Sequence, residues 1–223
     1  FTFVKLFGRW IIWKKPFAPA PLISVLGPDG AGKSTLVTSL KEHLQARKRK
    51  VTVVYTGRGR NHLLPITKLG RAYKIAEKQK TTPWSTNRKP LFSKKILYTA
   101  SAPIFALDQL LRYYARIFPS RMKKKIVITD RYGSDIMLMK YVPFRFKKFL
   151  LRFFPIPTLT IFLYNSPEIL NQRRPKEDLE DLRRQLRIFN RFNYSLRIET
   201  ARGEEDRRQA SEFVENYLLR NWY

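Results

Sequence analysis

Leu22-Ile23-Ser24-Val25-Leu26 runs directly into Gly27-Pro28-Asp29-Gly30-Ala31-Gly32-Lys33-Ser34-Thr35. The first five residues are the apolar run that a strand buried on both faces requires. The next nine spell G-x-x-x-x-G-K-[ST]. After them, Leu36, Val37, Leu40 and Leu44 recur at helical spacing over 35–44. Strand, glycine loop and helix together are the setting in which such a loop cradles phosphates. Gly30 and Gly32 let the backbone curl until several N–H groups converge, aided by the helix N-terminus. Lys33 brings a mobile positive charge to the β- and γ-phosphates of ATP, and the Ser34 hydroxyl is a natural Mg²⁺ ligand. Gly27, Ala31 and Thr35 complete the expected ATP-binding loop. A turn that only starts a helix needs no lysine-hydroxyl pair after its last glycine.

Outward from this unit, strand-like and helix-like segments alternate. Val51 to Tyr55 is a β-branched run and reads as strand two. A helix is expected over 66–80, then a polar loop with Thr81, Thr82, Pro83, Asn87 and Pro90. A long apolar helix follows over 94–118. Ile126-Val127-Ile128 reads as strand three, closed by Thr129-Asp130-Arg131-Tyr132. Strand four is expected from Thr158 to Leu163, with Pro155 and Pro157 before it and Pro167 after it. A basic helix over 179–194, a weak strand over 196–199 and a helix over 204–219 close the chain. Apolar strands separated by helices imply a parallel sheet covered on both faces. The expected fold class is α/β: a P-loop NTPase fold with a five-stranded parallel sheet, helices on both faces and three α/β/α layers, over 22–223.

Length and composition bound the rest. The 223 residues suit one α/β domain, alone or with attachments. With no cysteine, disulfides and thiolate zinc sites are excluded, which fits a reducing cytoplasm. His43 and His62 are the only histidines, too few and too distant for a histidine metal site. No apolar run approaches the roughly 20 residues that span a bilayer. Lys and Arg number 45 against 17 Asp and Glu, a net charge of +28. Such a field attracts nucleotides, nucleic acid or an acidic membrane face. Basic clusters recur at Arg47–Lys50, Arg121–Lys125, Arg145–Lys148 and Arg183–Arg187, and the stretches 144–149 and 152–154 interleave cations with phenylalanines. Two readings stand: a solvated surface around an anion-handling site, or a surface that binds membrane or nucleic acid. Residues 1–21 are aromatic and basic as far as Lys15, then proline-rich from Pro16 to Pro21, a stiff linker. They read as an interfacial helix or, preferentially, as the junction to an upstream region.

Taken in order, the GxDGxGKST loop, an apolar strand ending in Asp130-Arg131-Tyr132, a proline-led fourth strand and an arginine-rich segment form a pattern running from Leu22 to Leu219. In this the chain resembles the thymidylate kinase family of nucleoside monophosphate kinases. A carboxylate at the end of strand three sits on the carboxyl edge of the sheet, where open α/β proteins bind ligands. There Asp130 holds Mg²⁺ through water, and Arg131 forks onto the acceptor phosphate. A strand-end salt bridge is the plainer alternative for this triplet. The resemblance implies that Asp29 contacts the acceptor's sugar hydroxyl and that Tyr132 lies on the acceptor side. It implies that Arg173 and Arg174, on a lid over about 172–180, close over the transferring phosphoryl group, and that Arg202 flanks the adenine. Gly30 stands where some members carry a loop arginine, so the lid arrangement is the one expected.

Departures fall on the acceptor side. The family's Arg-Glu-Pro-Gly segment is absent after strand two, where Tyr55-Thr56-Gly57-Arg58-Gly59-Arg60 stands, and Arg58 and Arg60 are the candidate phosphate contacts. Ala102 occupies the place of an expected arginine, and strand four ends in Tyr164-Asn165 where a carboxylate often stands. The function expected is an ATP- and Mg²⁺-dependent phosphotransferase acting on a dTMP-like nucleoside monophosphate. The catalytic set is Lys33, Asp130, Arg131, Arg173 and Arg174, with Ser34 and Asp130 on the metal. The alternatives are a kinase of the same fold for a sugar or membrane-linked glycan intermediate, and an ATP-dependent module that binds nucleic acid or membrane. Expected partners are ATP and a small anionic acceptor, with an anionic membrane, nucleic acid and a second copy of the chain as further candidates. The expected location is the cytoplasm, with the inner membrane face as a peripheral site.

Overall fold

The computed structural model describes residues 18–57, 63–64 and 92–222. The expected helix over 66–80, the polar loop over 81–90, the opening segment to residue 17, and Arg58 and Arg60 lie outside the described residues. The described chain divides into two compact units. One takes 18–55, 114–130 and 157–222; the other takes 56–57, 63–64, 92–113 and 131–156.

The first unit is built on a parallel sheet of β1 (Leu22–Leu26), β2 (Val51–Tyr55), β3 (Ile126–Asp130), β4 (Leu159–Tyr164) and β5 (Leu196–Glu199), in the order β2-β3-β1-β4-β5. Every residue of β1 and β3 is buried, so both faces of the central sheet are covered. This is why those two strands read as apolar runs while β2 and β5, at the edges, are partly exposed. On one face, Ile23, Val25, Ile128 and Ile161 pack against helix α1 (Lys33–Ala46) and helix α8 (Glu204–Asn221). Leu36, Val37, Leu40 and Leu44 supply α1's buried stripe, and Ala210, Val214 and Leu218 supply that of α8. Phe162, on the alternate side of β4, lies against Tyr194 at 4.6 Å and Phe189 at 5.4 Å. Burial pushes the Tyr194 phenol well above its ordinary range against the opposing charge of Arg197, so it stays protonated and donates to the Phe189 carbonyl at 2.8 Å.

Several expected boundaries moved. Strand three continues to Asp130 because β1 and β2 both flank it, with Val25 and Tyr55 opposite that residue. Strand four begins at Leu159, since Thr158 ties off the β1 end: its N–H donates to the Leu22 carbonyl at 2.8 Å and its Oγ1 accepts from Leu22 N–H at 3.0 Å. The helix expected over 179–194 is α7 (Leu179–Phe189), ending where Asn190 caps it. A short helix α6 (Pro167–Arg173), where no helix was expected, carries an ordinary start signal: Ser166 Oγ accepts from Ile169 N–H at 3.3 Å, and Pro167 follows. The helix expected over 94–118 is α2 (Phe92–Arg112), a π-helical turn over Tyr113–Ile117, and α3 (Phe118–Met122). The end of the proline-rich linker is docked rather than free. Ala20 is buried and exchanges hydrogen bonds with Arg121, while Lys124 Nζ donates to the Ala18 carbonyl at 2.7 Å. Part of the 121–125 cluster is therefore structural.

The second unit contains α2, α4 (Ser134–Met137) and α5 (Phe144–Leu151). Its aromatic spine runs Tyr113–Tyr132–Phe154, with successive ring centroids 6.2 and 6.1 Å apart. Lys147 is buried and staples α5 inward, donating to the Met137 carbonyl at 3.0 Å and to that of Met139. Asp108 and Arg112, one turn apart on α2, form a 2.8 Å ion pair with side chains only 0% and 2% exposed. Among the described residues, no helix is long and apolar enough to cross a membrane.

Candidate functional site

The loop after β1 is shaped by two close approaches. A Cβ on Gly27 would run into the Leu163 carbonyl oxygen of β4. Gly30 has φ +86°, and a Cβ there would lie 3.0 Å from the Leu170 carbonyl and 3.7 Å from Arg174 Cγ. The loop thus passes against the carboxyl end of β4 and the last turn of α6, and the Arg174 stem lies beside Gly30. Gly32 then opens α1, whose first helical bond runs from Leu36 N–H to the Gly32 carbonyl at 3.0 Å. Ala31 is fully buried under the loop, and Ser34 and Thr35 lie in the first turn of α1. The connections from β1 and β4 lead to opposite edges of the sheet, and ligands of open α/β sheets sit outside the carboxyl ends at such a place.

Lys33 folds back on its own loop. Its Nζ donates to the Pro28 carbonyl at 2.6 Å and lies 3.7 Å from Asp29 Oδ1, with 6% of the side chain exposed. Asp29, expected on the acceptor's sugar, is here the counter-charge of the lysine. Ser34 and Asp130 come together from 96 residues apart, the hydroxyl donating to Asp130 Oδ2 at 3.2 Å. The cause is the register: Asp130 stands opposite Val25, just before the loop begins. The two side chains offer hard oxygen donors of the kind Mg²⁺ takes, and no larger acidic or histidine cluster occurs among the described residues. Two protein oxygens suffice, because Mg²⁺ keeps several waters and takes its remaining ligands from phosphates.

The two lid candidates separate. Arg173 is held by the segment after β5: Nη1 donates to Thr200 Oγ1 at 3.1 Å and Nη2 to the Thr200 carbonyl at 2.7 Å. Asn165, standing where a carboxylate was expected, donates to the same carbonyl at 2.9 Å, so it bridges the ends of β4 and β5. Arg174 lies against the loop instead. Glu168, on the exposed side of α6, is held below the usual carboxylate range first by a backbone hydrogen bond and then by Arg183. Arg202 is exposed, its Nη1 3.6 Å from Glu205, while its N–H donates to the buried Asp206 at 2.8 Å. That bond sets the bend before α8 and leaves the guanidinium at the surface.

In the second unit, Arg131 adopts φ +72°, a left-handed conformation that costs a non-glycine residue about 1 kcal/mol or more. Its Nη1 lies 3.8 Å from Asp135, a buried carboxylate that the sequence reading did not single out. Tyr132 is packed rather than offered: it is 8% exposed, and its hydroxyl donates to the Pro155 carbonyl at 2.7 Å. Tyr132, expected on the acceptor side, has its ring among aromatic neighbours and its hydroxyl on the Pro155 carbonyl. Ala102, standing where an arginine was expected, is fully buried.

The other group missed from sequence is the Asp108–Arg112 pair. Asp108 Oδ1 accepts from the N–H groups of Leu63 and Leu64 at 2.9 and 3.0 Å, and Arg112 Nη1 donates to the Gly57 carbonyl at 3.3 Å. One buried ion pair thus holds both described ends of the segment that carries Arg58 and Arg60. The available signal was a carboxylate and a guanidinium at i, i+4 in the apolar second half of a helix. No protein-family model matches the chain, and no curated protein matches it.

Proposed function

We propose that the chain is a P-loop phosphotransferase that moves the γ-phosphoryl of ATP, with Mg²⁺, to a nucleoside monophosphate of the dTMP type. The observation that carries the reading is the Ser34–Asp130 contact at the mouth of the glycine loop. The strand register brings a hydroxyl at the start of a helix and a carboxylate at the end of the neighbouring strand together at the loop. They are the donors a magnesium-nucleotide needs. When bound, Mg·ATP would supply the transferable phosphoryl group, with Ser34 and Asp130 as the residues that would hold the metal.

The residues of the chain bind, orient and neutralise. The loop amides and the N-terminus of α1 hold phosphate oxygens. Lys33 leaves the Pro28 carbonyl and Asp29 for the stronger charge of the phosphates, which frees Asp29 for the acceptor. Arg131, the residue after Asp130 in the chain, takes the acceptor phosphate. Arg174 neutralises charge as it moves between the phosphates, while Arg173 holds the lid's hinge end on Thr200. A second reading, a same-fold kinase for a sugar or glycan-linked acceptor, rests on buried Ala102 and Tyr132, which remove two contacts a nucleotide acceptor would use.

A screen with labelled ATP against nucleoside monophosphates, nucleosides and sugars decides between these readings. Transfer to dTMP or a close analogue supports the first, and transfer only to sugars supports the second. No transfer to any acceptor, with no Mg²⁺-dependent ATP binding, overturns both.

The division among the arginines is testable in kinetics. Arg131→Ala should raise the acceptor KM and lower kcat while leaving ATP affinity near that of the parent. Arg174→Ala should lower kcat chiefly, by roughly 10²-fold, the scale for one pre-organised charge donor. Arg173→Ala should do less, since its guanidinium is already held by Thr200. Identical patterns for Arg131→Ala and Arg174→Ala would refute the assigned roles.

A further inference from the structure

We propose that the outward face of α5 and the turn after it docks on an anionic phospholipid bilayer. The helix is two-sided. Lys147, Leu150 and Phe154 point inward and are buried. Arg152, Phe153 and Phe154 donate their N–H groups to the carbonyls of Phe149, Leu150 and Leu151 at 3.1, 3.3 and 3.1 Å, so the coil carries on past the helix end. Arg145, Lys148, Phe149, Arg152 and Phe153 therefore fall at helical spacing on one exposed side, and the exposed Ile156 follows just after the turn.

That side combines two attractions. Phe149, Phe153 and Ile156 are 49%, 58% and 88% exposed, and the rings touch in series: Phe146 stacks with Phe149 at 6.3 Å, and Phe149 meets Phe153 edge-on at 5.3 Å. This is a contiguous apolar patch, not scattered exposure. The cations beside it meet no carboxylate among the described residues. Positions 136–167 contain no Asp or Glu, and Asp135, just before them, is buried facing Arg131. Aromatic anchors next to unpaired cations are what an acidic lipid interface takes up: the rings enter the headgroup boundary while Lys and Arg meet the phosphates. A second copy of the chain fits poorly, since a two-fold contact would set these cations against themselves. Single-stranded nucleic acid needs free ring faces for stacking; Phe149 is already stacked on Phe146, and Ile156 has no ring.

The test uses the full chain and vesicles of phosphatidylcholine, alone or mixed with phosphatidylglycerol, in co-sedimentation at low and high salt. The expected result is retention on the mixed vesicles only, weakening with salt. Arg145→Glu, Lys148→Glu and Arg152→Glu should each weaken partitioning by about fivefold or more, the factor for one cation near such a surface. F149S/F153S should weaken it at least about tenfold, with duplex DNA binding unchanged. Phe149→Trp, which keeps the bulk, should add an emission that shifts blue on the mixed vesicles, so the result stands even if the serine variant folds poorly. Parent-like retention in the glutamate and serine variants would overturn the proposal and leave retention to residues 1–17. Parallel loss of DNA binding would overturn it in favour of a nucleic-acid surface.

Discussion

Lys33→Ala is expected to cut kcat/KM for ATP by about 10²- to 10³-fold and to weaken Mg·ATP binding, with little loss of fold. One pre-organised donor aimed at developing phosphate charge is worth that much in a site with little water. The side chain is 6% exposed, and it reaches a carbonyl and a carboxylate of its own loop. No other described lysine is buried within the loop to take its place. Calorimetric titration of Mg·ATP and turnover with the preferred acceptor check both parts. Parent-like affinity together with parent-like turnover would remove the nucleotide assignment.

Asp108→Ala should destabilise the second unit by about 3–5 kcal/mol, the cost of leaving one member of a buried pair without its partner. The loss has three sources. Arg112 stays buried at 2% exposure without its counter-charge, and the Leu63 and Leu64 N–H groups lose their acceptor. Replacing both partners, as in D108N/R112L, should recover part of it, because no unpaired charge then remains. Urea unfolding followed by hydrogen exchange over 96–112 reads the effect. A loss under about 1 kcal/mol would mean that water reaches the pair. If Arg58 and Arg60 contact the acceptor, acceptor KM should rise in D108N/R112L even at temperatures where the protein is folded, because the bond that holds the Gly57 carbonyl is gone.

The sheet was legible because its inner strands are covered on both sides and so appear as unbroken apolar runs: Leu22–Leu26 and Ile126–Ile128 were placed directly. The α1 stripe was legible for the same reason in helical period. Short elements were not. Ser134–Met137 and Phe144–Leu151 carry too few turns for periodicity to emerge, and α5 buries a lysine, Lys147, while exposing Phe149. Pro167 was read as a strand terminator although, after Ser166, it is the first residue of α6. At the candidate site, the positions of residues fixed by backbone neighbours were readable: Lys33, Ser34 and Asp130 lie at the helix start and strand end that their sequence context implies. Residues whose role depends on partners distant in sequence were not. Nothing near Tyr132 announces the Pro155 carbonyl, nothing near Arg173 announces Thr200, and Asp108 reads as an ordinary helix carboxylate until Leu63 and Leu64 are beside it.

The strand order also governs how the protein is made. β1 and β2 leave the ribosome first, yet they are not neighbours; β3 lies between them and is about 70 residues later in the chain. A nascent polypeptide halted before Ile126 therefore holds two apolar strands with no native partner, a state open to aggregation and to chaperones. Insertion of β3 supplies both missing ladders at once, so protection against protease during synthesis should rise in one step as Asp130 clears the exit tunnel. It should rise again when β4 closes the other side of β1. Synonymous codons that slow translation between Tyr55 and Ile126 would prolong the exposed interval, whereas a pause after Asp130 would give the half-built sheet time to form.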